Sequence, residues 1–111
     1  MELGLSGKVV IITGSGRGIG AETAREFASE GARVVVTDID PATTSATTQA
    51  LRANGADAIG VVADVTKADQ VEGLISQAHR TFGRIDVLVN NAGFPRDSLI
   101  VKMSESDWDA V

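Results

Sequence analysis

Residues 8–20 read KVVIITGSGRGIG, and the fold is decided there. Lys8 to Ile12 (KVVII) is a β-branched, almost wholly apolar run, the composition of a strand covered on both faces of a parallel sheet. It passes directly into the glycine-rich turn TGSGRGIG. Helical spacing follows from about Ile19 to Glu30, where Ile19, Ala24, Phe27 and Ala28 can share a face and Gly31 supplies a left-handed stop. Strand, glycine turn and helix in that order aim backbone N–H groups and the positive end of a helix at a phosphate. Gly14 allows the tight turn, while Gly18 and Gly20 let a diphosphate approach the backbone and the helix pack close to the strand. A glycine-rich surface turn without a ligand is the plainer reading, but the surrounding strand and helix and an acid downstream favour the nucleotide.

Outward from this turn, β-branched runs alternate with helix-period segments, the pattern of βαβ units. Arg33 to Thr37 (RVVVT) forms a second strand ending on Asp38. Asp40 caps a helix with Pro41 at its first position, and Asn54-Gly55 stops it. That helix is rich in Thr and poor in large apolar residues, so docking on the sheet must hold it. Ala58 to Val62 is a third strand, and Thr66 with Asp69 reads as a capping box for the next helix. Val71, Leu74, Ile75, Ala78 and Phe82 form one buried stripe there, closed by Gly83. Ile85 to Asn90 is a fourth strand, and Ser104 with Asp107 opens a further helix.

Right-handed crossovers give the strand order 3-2-1-4, a Rossmann-type doubly wound α/β sheet with helices on both faces. The order reverses between strands one and four, so a ligand crevice is expected at their carboxyl ends, where TGSGRGIG faces Asn90-Asn91-Ala92-Gly93. Residues 1–111 are expected to form a single dinucleotide-binding domain, with Val87, Leu88 and Val89 on an unpaired edge that either self-associates into a homo-oligomer or is covered by further residues.

The candidate cofactor-binding residues follow from this crevice. They are Gly14, Ser15, Arg17, Gly18, Ile19 and Gly20 in the turn, then Asp38, then Asp64 with Val65, then Asn91, Ala92 and Gly93. Asp38 can accept hydrogen bonds from both adenosine ribose hydroxyls, and its charge repels a 2′-phosphate by about 4 kcal/mol at contact in a medium of intermediate polarity. Arg17 pulls the other way, but on a long solvated stem. The comparison favours NAD over NADP. Asp64 reads equally as an acceptor for the adenine amino group or as a turn residue before the Thr66 cap. Asn90 and Asn91 can tie strand ends together as well as touch a cofactor, and Ala92 and Gly93 keep the space over the ribose open. His79, the single histidine, is expected in solvent with no metal or catalytic role; Trp108 reads as a packing anchor, and Asp107 and Asp109 as helix-terminal charges.

Composition excludes several function classes. Acidic residues outnumber basic ones, for a formal charge of −5, which argues against a nucleic-acid surface. The opening MELGLSGKVV carries no basic segment before a long apolar run, and no later run approaches a membrane span. There is no cysteine to form a disulfide or thiolate metal site, and a cytoplasmic location is the expectation.

Thr13-Gly14-x-x-x-Gly18-x-Gly20, Asp64-Val65 and Asn90-Asn91-Ala92-Gly93 resemble the cofactor half of the short-chain dehydrogenase/reductases. The stretch from Gly93 to Trp108, with Arg96-Asp97, Leu99 and Met103, is similar to bacterial 3-oxoacyl-[acyl-carrier-protein] reductases, although Asp38 departs from their usual NADPH preference. The resemblance implies hydride transfer between a nicotinamide and a carbonyl or secondary alcohol, with a 3-oxoacyl thioester as one candidate substrate. It also implies a catalytic Ser and a Tyr-x-x-x-Lys motif, the Lys lowering the pKa of a phenol otherwise near 10. This sequence has no Tyr, so no catalytic residue carries over. The expectation is a chain that seats the dinucleotide and lacks the catalytic half. A stand-alone dinucleotide-binding module without catalysis is the alternative.

Overall fold

The computed structural model describes residues 4–91 and, as backbone, 99–102. Its elements are β1 (Val9–Thr13), α1 (Gly18–Ser29), β2 (Arg33–Asp38), α2 (Pro41–Ala53), β3 (Ala58–Val62), α3 (Ala68–Phe82), β4 (Val87–Asn90) and β5 (Leu99–Lys102). They build one sheet in the order β3-β2-β1-β4-β5. The first four strands pair in parallel, with Val9 to Thr13 matched residue for residue to Arg33 to Thr37. The expected 3-2-1-4 order and its reversal beside β1 are therefore present.

The period of two along the strands divides the core into two layers. Val10, Ile12, Val34 and Val36 face α1 and α2, where Ala24 and Leu51 meet them. Val9, Ile11, Val35 and Val61 face α3, packing on Leu74 and Ala78. All of β1 is buried, as its unbroken apolar run required. The α3 stripe forms as its spacing dictates, with Leu74 and Ala78 buried and Ile75 and Phe82 packed beside them. Gly83 ends α3 at φ 80°, donating its N–H to the His79 carbonyl at 2.7 Å. His79 itself is exposed.

Helix α2 starts as expected, with the Asp40 carboxylate accepting hydrogen bonds from the N–H groups of Ala42 and Thr43. Its threonines do more than lower helix propensity. Thr44, Thr47, Thr48 and Leu51 are its buried residues, and Thr44 and Thr48 return their hydroxyls to the carbonyls of Asp40 and Thr44. Burial without that bonding would leave orphaned hydroxyls in the core.

Four expectations need correction. Ile19 does not join the buried stripe of α1: it is 76% exposed, because the helix begins above the sheet end and only Ala21 and Ala24 reach the core there. Thr66 does not cap α3, whose N-cap residue is Lys67 without a side-chain cap. The Thr66 hydroxyl donates instead to the Asp64 carboxylate at 2.6 Å, a shorter-range and charge-assisted partner. Ile85 and Asp86 precede β4 rather than belonging to it, although Ile85 is buried and Asp86 exchanges hydrogen bonds with Val9. The edge of β4 is not open: β5 pairs with it antiparallel, from Val87 opposite Lys102 to Asn90 opposite Leu99. Backbone groups on β4 thus have a partner within the chain, so this edge is not free to pair with a second copy. The helix expected at Ser104, with Asp107, Trp108 and Asp109, lies outside the described residues. Among the described residues, no helix is long and apolar enough to cross a membrane.

Candidate functional site

The turn between β1 and α1 takes the shape that its glycines permit. Gly14 and Gly18 have φ of 64° and 62°, in the left-handed region where a side chain is strained. A methyl group on Gly20 would collide with the carbonyl of Gly14 and lie 2.9 Å from Asn91 Nδ2. Glycine at this position therefore lets the start of α1 sit against both the turn and the end of β4. The turn faces the fourth strand.

The first turn of α1 has no side-chain cap and no acidic residue, and Arg17 occupies the N-cap position in extended geometry. A helix start with uncapped N–H groups and no acidic residue in its first turn is suited to an anion. At Gly18 a Cβ would meet nothing within 4 Å, so the approach from solvent is open. Arg17 and Ile19 are exposed on either side of it.

Below the turn, Ser15 is wholly buried, and its N–H and hydroxyl are engaged within the fold. Its N–H donates to the Thr37 carbonyl at 2.9 Å, and its hydroxyl donates to the Ile12 carbonyl at 2.6 Å while accepting from the Thr37 N–H at 2.9 Å. Ser15 therefore joins the turn to β2 from inside, and its side chain is turned away from the crevice. Gly16 is clamped from the other side. Its N–H donates to Asp38 Oδ2 at 3.0 Å, and its carbonyl accepts from Thr47 Oγ1 at 2.5 Å.

Asp38 is half-buried at the end of β2, with its second carboxylate oxygen accepting from the Ile39 N–H at 2.7 Å. It forms one wall of a pocket of about 250 Å³ lined by Gly14, Thr37, Asp38, Ile39, Ala63, Asp64, Val65 and Thr66. The volume suits one ring system, being below the size of a complete drug-like ligand site. Asp38, Asp64 and Val65, chosen from separate strand ends, thus meet around one space. Asp64 is held in a tight turn: Thr66 donates to Oδ1 from both hydroxyl and backbone N–H, and the Asp64 N–H donates to Gln70 Oε1. The Thr66 hydroxyl bond, then its backbone bond, hold the Asp64 carboxyl below its ordinary pKa. It is an acceptor at neutral pH.

At the other side of β1, the Thr13 hydroxyl accepts from the Asn91 N–H at 2.9 Å and donates to Asn90 Oδ1 at 3.0 Å. The tying role expected of the asparagines is therefore real, with Asn91 Nδ2 near Gly20. Ala92 and Gly93 lie outside the described residues. Sequence reasoning quoted Thr13 in a motif without giving its hydroxyl a role, and passed over Thr37 and Thr47. One signal was legible: Thr44, Thr47, Thr48 and Leu51 recur at the spacing of a single helix face. Among the described residues, no group of acidic and histidine side chains could hold a metal ion.

A parallel sheet reversing at β1, with an uncapped glycine turn facing β4 across that reversal, defines a Rossmann-type doubly wound domain. Residues 8–111 match the model of the short chain dehydrogenase family, and the chain belongs to that family. It resembles 3-oxoacyl-[acyl-carrier-protein] reductases: that of Synechocystis sp. is 45% identical over 108 residues, 96% of this chain and 44% of the relative. A hydroxysteroid dehydrogenase from Escherichia coli superposes with a TM-score of 0.79 at 40% identity, over 81% of this chain and 38% of that one. A short-chain dehydrogenase/reductase from Burkholderia phymatum, solved in complex with NAD, gives 0.74 at 40% identity, over 76% and 30%. The chain spans less than half the length of the curated relatives it matches.

Proposed function

We propose that this chain is the dinucleotide-binding half of a short-chain dehydrogenase/reductase and that it seats NAD in preference to NADP. The observation that carries the reading is the α1 start, uncapped and without acids, opposite Asn91. Its donor set fits a diphosphate: backbone N–H groups, left-handed glycines and open space over Gly18. In this reading Gly14, Gly18 and Gly20 with the α1 N–H groups hold the diphosphate, and Ile19 and Arg17 flank it. Asp38 accepts from the adenosine ribose, Asp64 and the Val65 backbone meet the adenine edge, and Asn91, Ala92 and Gly93 border the nicotinamide side. Ser15 belongs to this set as an internal brace rather than as a contact.

The preference for NAD follows from electrostatics. Asp38 is held by Gly16 and Ile39 N–H groups, so its charge cannot swing away when a second anion approaches. Arg17, exposed at the helix start, has no comparable fixation in its reach toward a 2′-phosphate.

When bound, the nicotinamide supplies or accepts a hydride, and the complete enzyme uses it on a carbonyl or secondary alcohol. The likeness to 3-oxoacyl-[acyl-carrier-protein] reductases makes a 3-oxoacyl thioester the first substrate to test. With no Tyr to donate a proton, the chain alone is expected to bind without turnover. Calorimetry with NAD and NADP tests the reading. Heat of binding that is stronger for NAD supports it, and no heat with either would overturn it. NADH oxidation by the chain joined to the remainder of such an enzyme, with a 3-oxo ester present, separates a catalytic half from a binding module.

A further inference from the structure

Thr37 is the last but one residue of β2 and part of the wall of the pocket that Asp38 and Asp64 share. Both of its backbone groups are satisfied by Ser15, whose N–H reaches the Thr37 carbonyl and whose hydroxyl receives the Thr37 N–H. Its side-chain hydroxyl is another matter. Thr37 is 0% exposed, and its Oγ1 is the one buried side-chain polar atom without a hydrogen-bond partner among the described residues.

Its neighbours sharpen the contrast. Thr13, Thr44, Thr47 and Thr48 are also buried, and each hydroxyl has a partner. Along the strand, Thr37 follows Val34, Val35 and Val36 and shares the face of Val35. Valine would fill the same space with no polar atom to satisfy, so the core alone gives no reason for a hydroxyl here.

We propose that the Thr37 hydroxyl is a specificity-determining group at the floor of this pocket, satisfied when the adenosine half of a dinucleotide is bound. It completes its hydrogen bonding to the purine or ribose directly or through one water held between them. This rests on the reading above that the pocket takes adenosine. The unliganded protein holds the hydroxyl in reserve, and binding relieves the desolvation that folding imposed on it.

The test is calorimetric titration of the chain with AMP and with NAD, alongside thermal unfolding without ligand, for the wild type, Thr37→Val and Thr37→Ser. Thr37→Val is expected to weaken AMP about three- to tenfold, the loss of one hydrogen bond. It should also raise the unliganded Tm by roughly 2–6 °C, because an unpaired hydroxyl leaves the core. Thr37→Ser keeps the hydroxyl and should stay within about twofold of the wild type in AMP affinity. Unchanged AMP affinity in Thr37→Val overturns the proposal while leaving the dinucleotide reading intact. A lowered Tm in that variant overturns it as well, since the hydroxyl then had a partner before binding. No heat from the wild type with either AMP or NAD overturns both.

Discussion

Asp38 Oδ2 accepts a hydrogen bond from the Gly16 N–H at 3.0 Å, so the carboxylate that ends β2 is fastened to the glycine turn that follows β1. Two segments that the sequence presents as separate signals are one unit. Gly16 has no room for more: a Cβ there would lie 2.6 Å from Thr43 Oγ1 and 3.0 Å from the Asp38 side chain. The charge proposed to discriminate between dinucleotides is thereby held in place by the loop that is proposed to hold the diphosphate.

Replacing Asp38 by serine should invert or flatten the dinucleotide preference. Removing the repulsion, about 4 kcal/mol at contact at intermediate dielectric and less with the solvent access this site has, should raise affinity for NADP relative to NAD at least tenfold. Titrations with both dinucleotides give the ratio directly, and an unchanged ratio would mean that Asp38 does not face the ribose.

Gly20→Ala and Gly18→Ala should separate packing from backbone strain. At Gly20 the new methyl meets the Gly14 carbonyl, and overpacking of this kind costs about 1–3 kcal/mol. At Gly18 the space is open and only the left-handed φ is penalised, about 1 kcal/mol. Urea unfolding of the two variants should therefore rank Gly20→Ala as the less stable; the reverse order would place the close approach elsewhere.

Thr47→Val should loosen the glycine turn from below. The variant keeps the buried shape but loses the bond to the Gly16 carbonyl, leaving that acceptor unpaired at a cost of about 1–2 kcal/mol. Denaturant midpoints should fall, and NAD affinity should fall with them because Gly16 also positions Asp38. Full stability would show that the carbonyl finds another donor.

Acid should weaken the joint between β1 and the approach to β4. Burial pushes the Asp86 carboxyl up, but the Arg84 guanidinium, the Val9 N–H and the charges of Arg84 and Lys8 together outweigh it and leave its pKa lowered. A carboxyl with a lowered folded pKa stabilises the fold above its unfolded pKa, about 3.9, and that contribution is lost as pH falls through the folded value. Asp86→Asn should thus cost about 1–2 kcal/mol near neutrality, moderated by the half-exposed Arg84, and should flatten the decline of stability below about pH 4. Parallel acid unfolding curves for the two proteins would refute the assignment.

Much of this architecture is written in local chemistry. The apolar run before Gly14, the Asp40-Pro41 helix start, the α3 stripe and the Gly83 stop depend on periodicity and backbone preference, which act within a few residues. The strand order follows from them through the handedness of crossovers, and so does the crevice beside β1. Where reading failed, competition between partners was the cause. Thr66 could serve the helix or Asp64, and the charged acceptor won; Ser15 could face the crevice or the core, and the Ile12 and Thr37 backbones claimed it.

From spacing and residue type alone come the doubly wound class, the glycine turn and the acids at the strand ends, because each is stated by a short contiguous stretch. Chain folding settled the rest: that β5 lies antiparallel on β4, that Asp38, Gly16 and Thr47 lock together, and that Thr37 is left with an unanswered hydroxyl. Such outcomes turn on which distant groups compete successfully for one partner within hydrogen-bonding range, and distance in space is a property that a linear pattern does not carry.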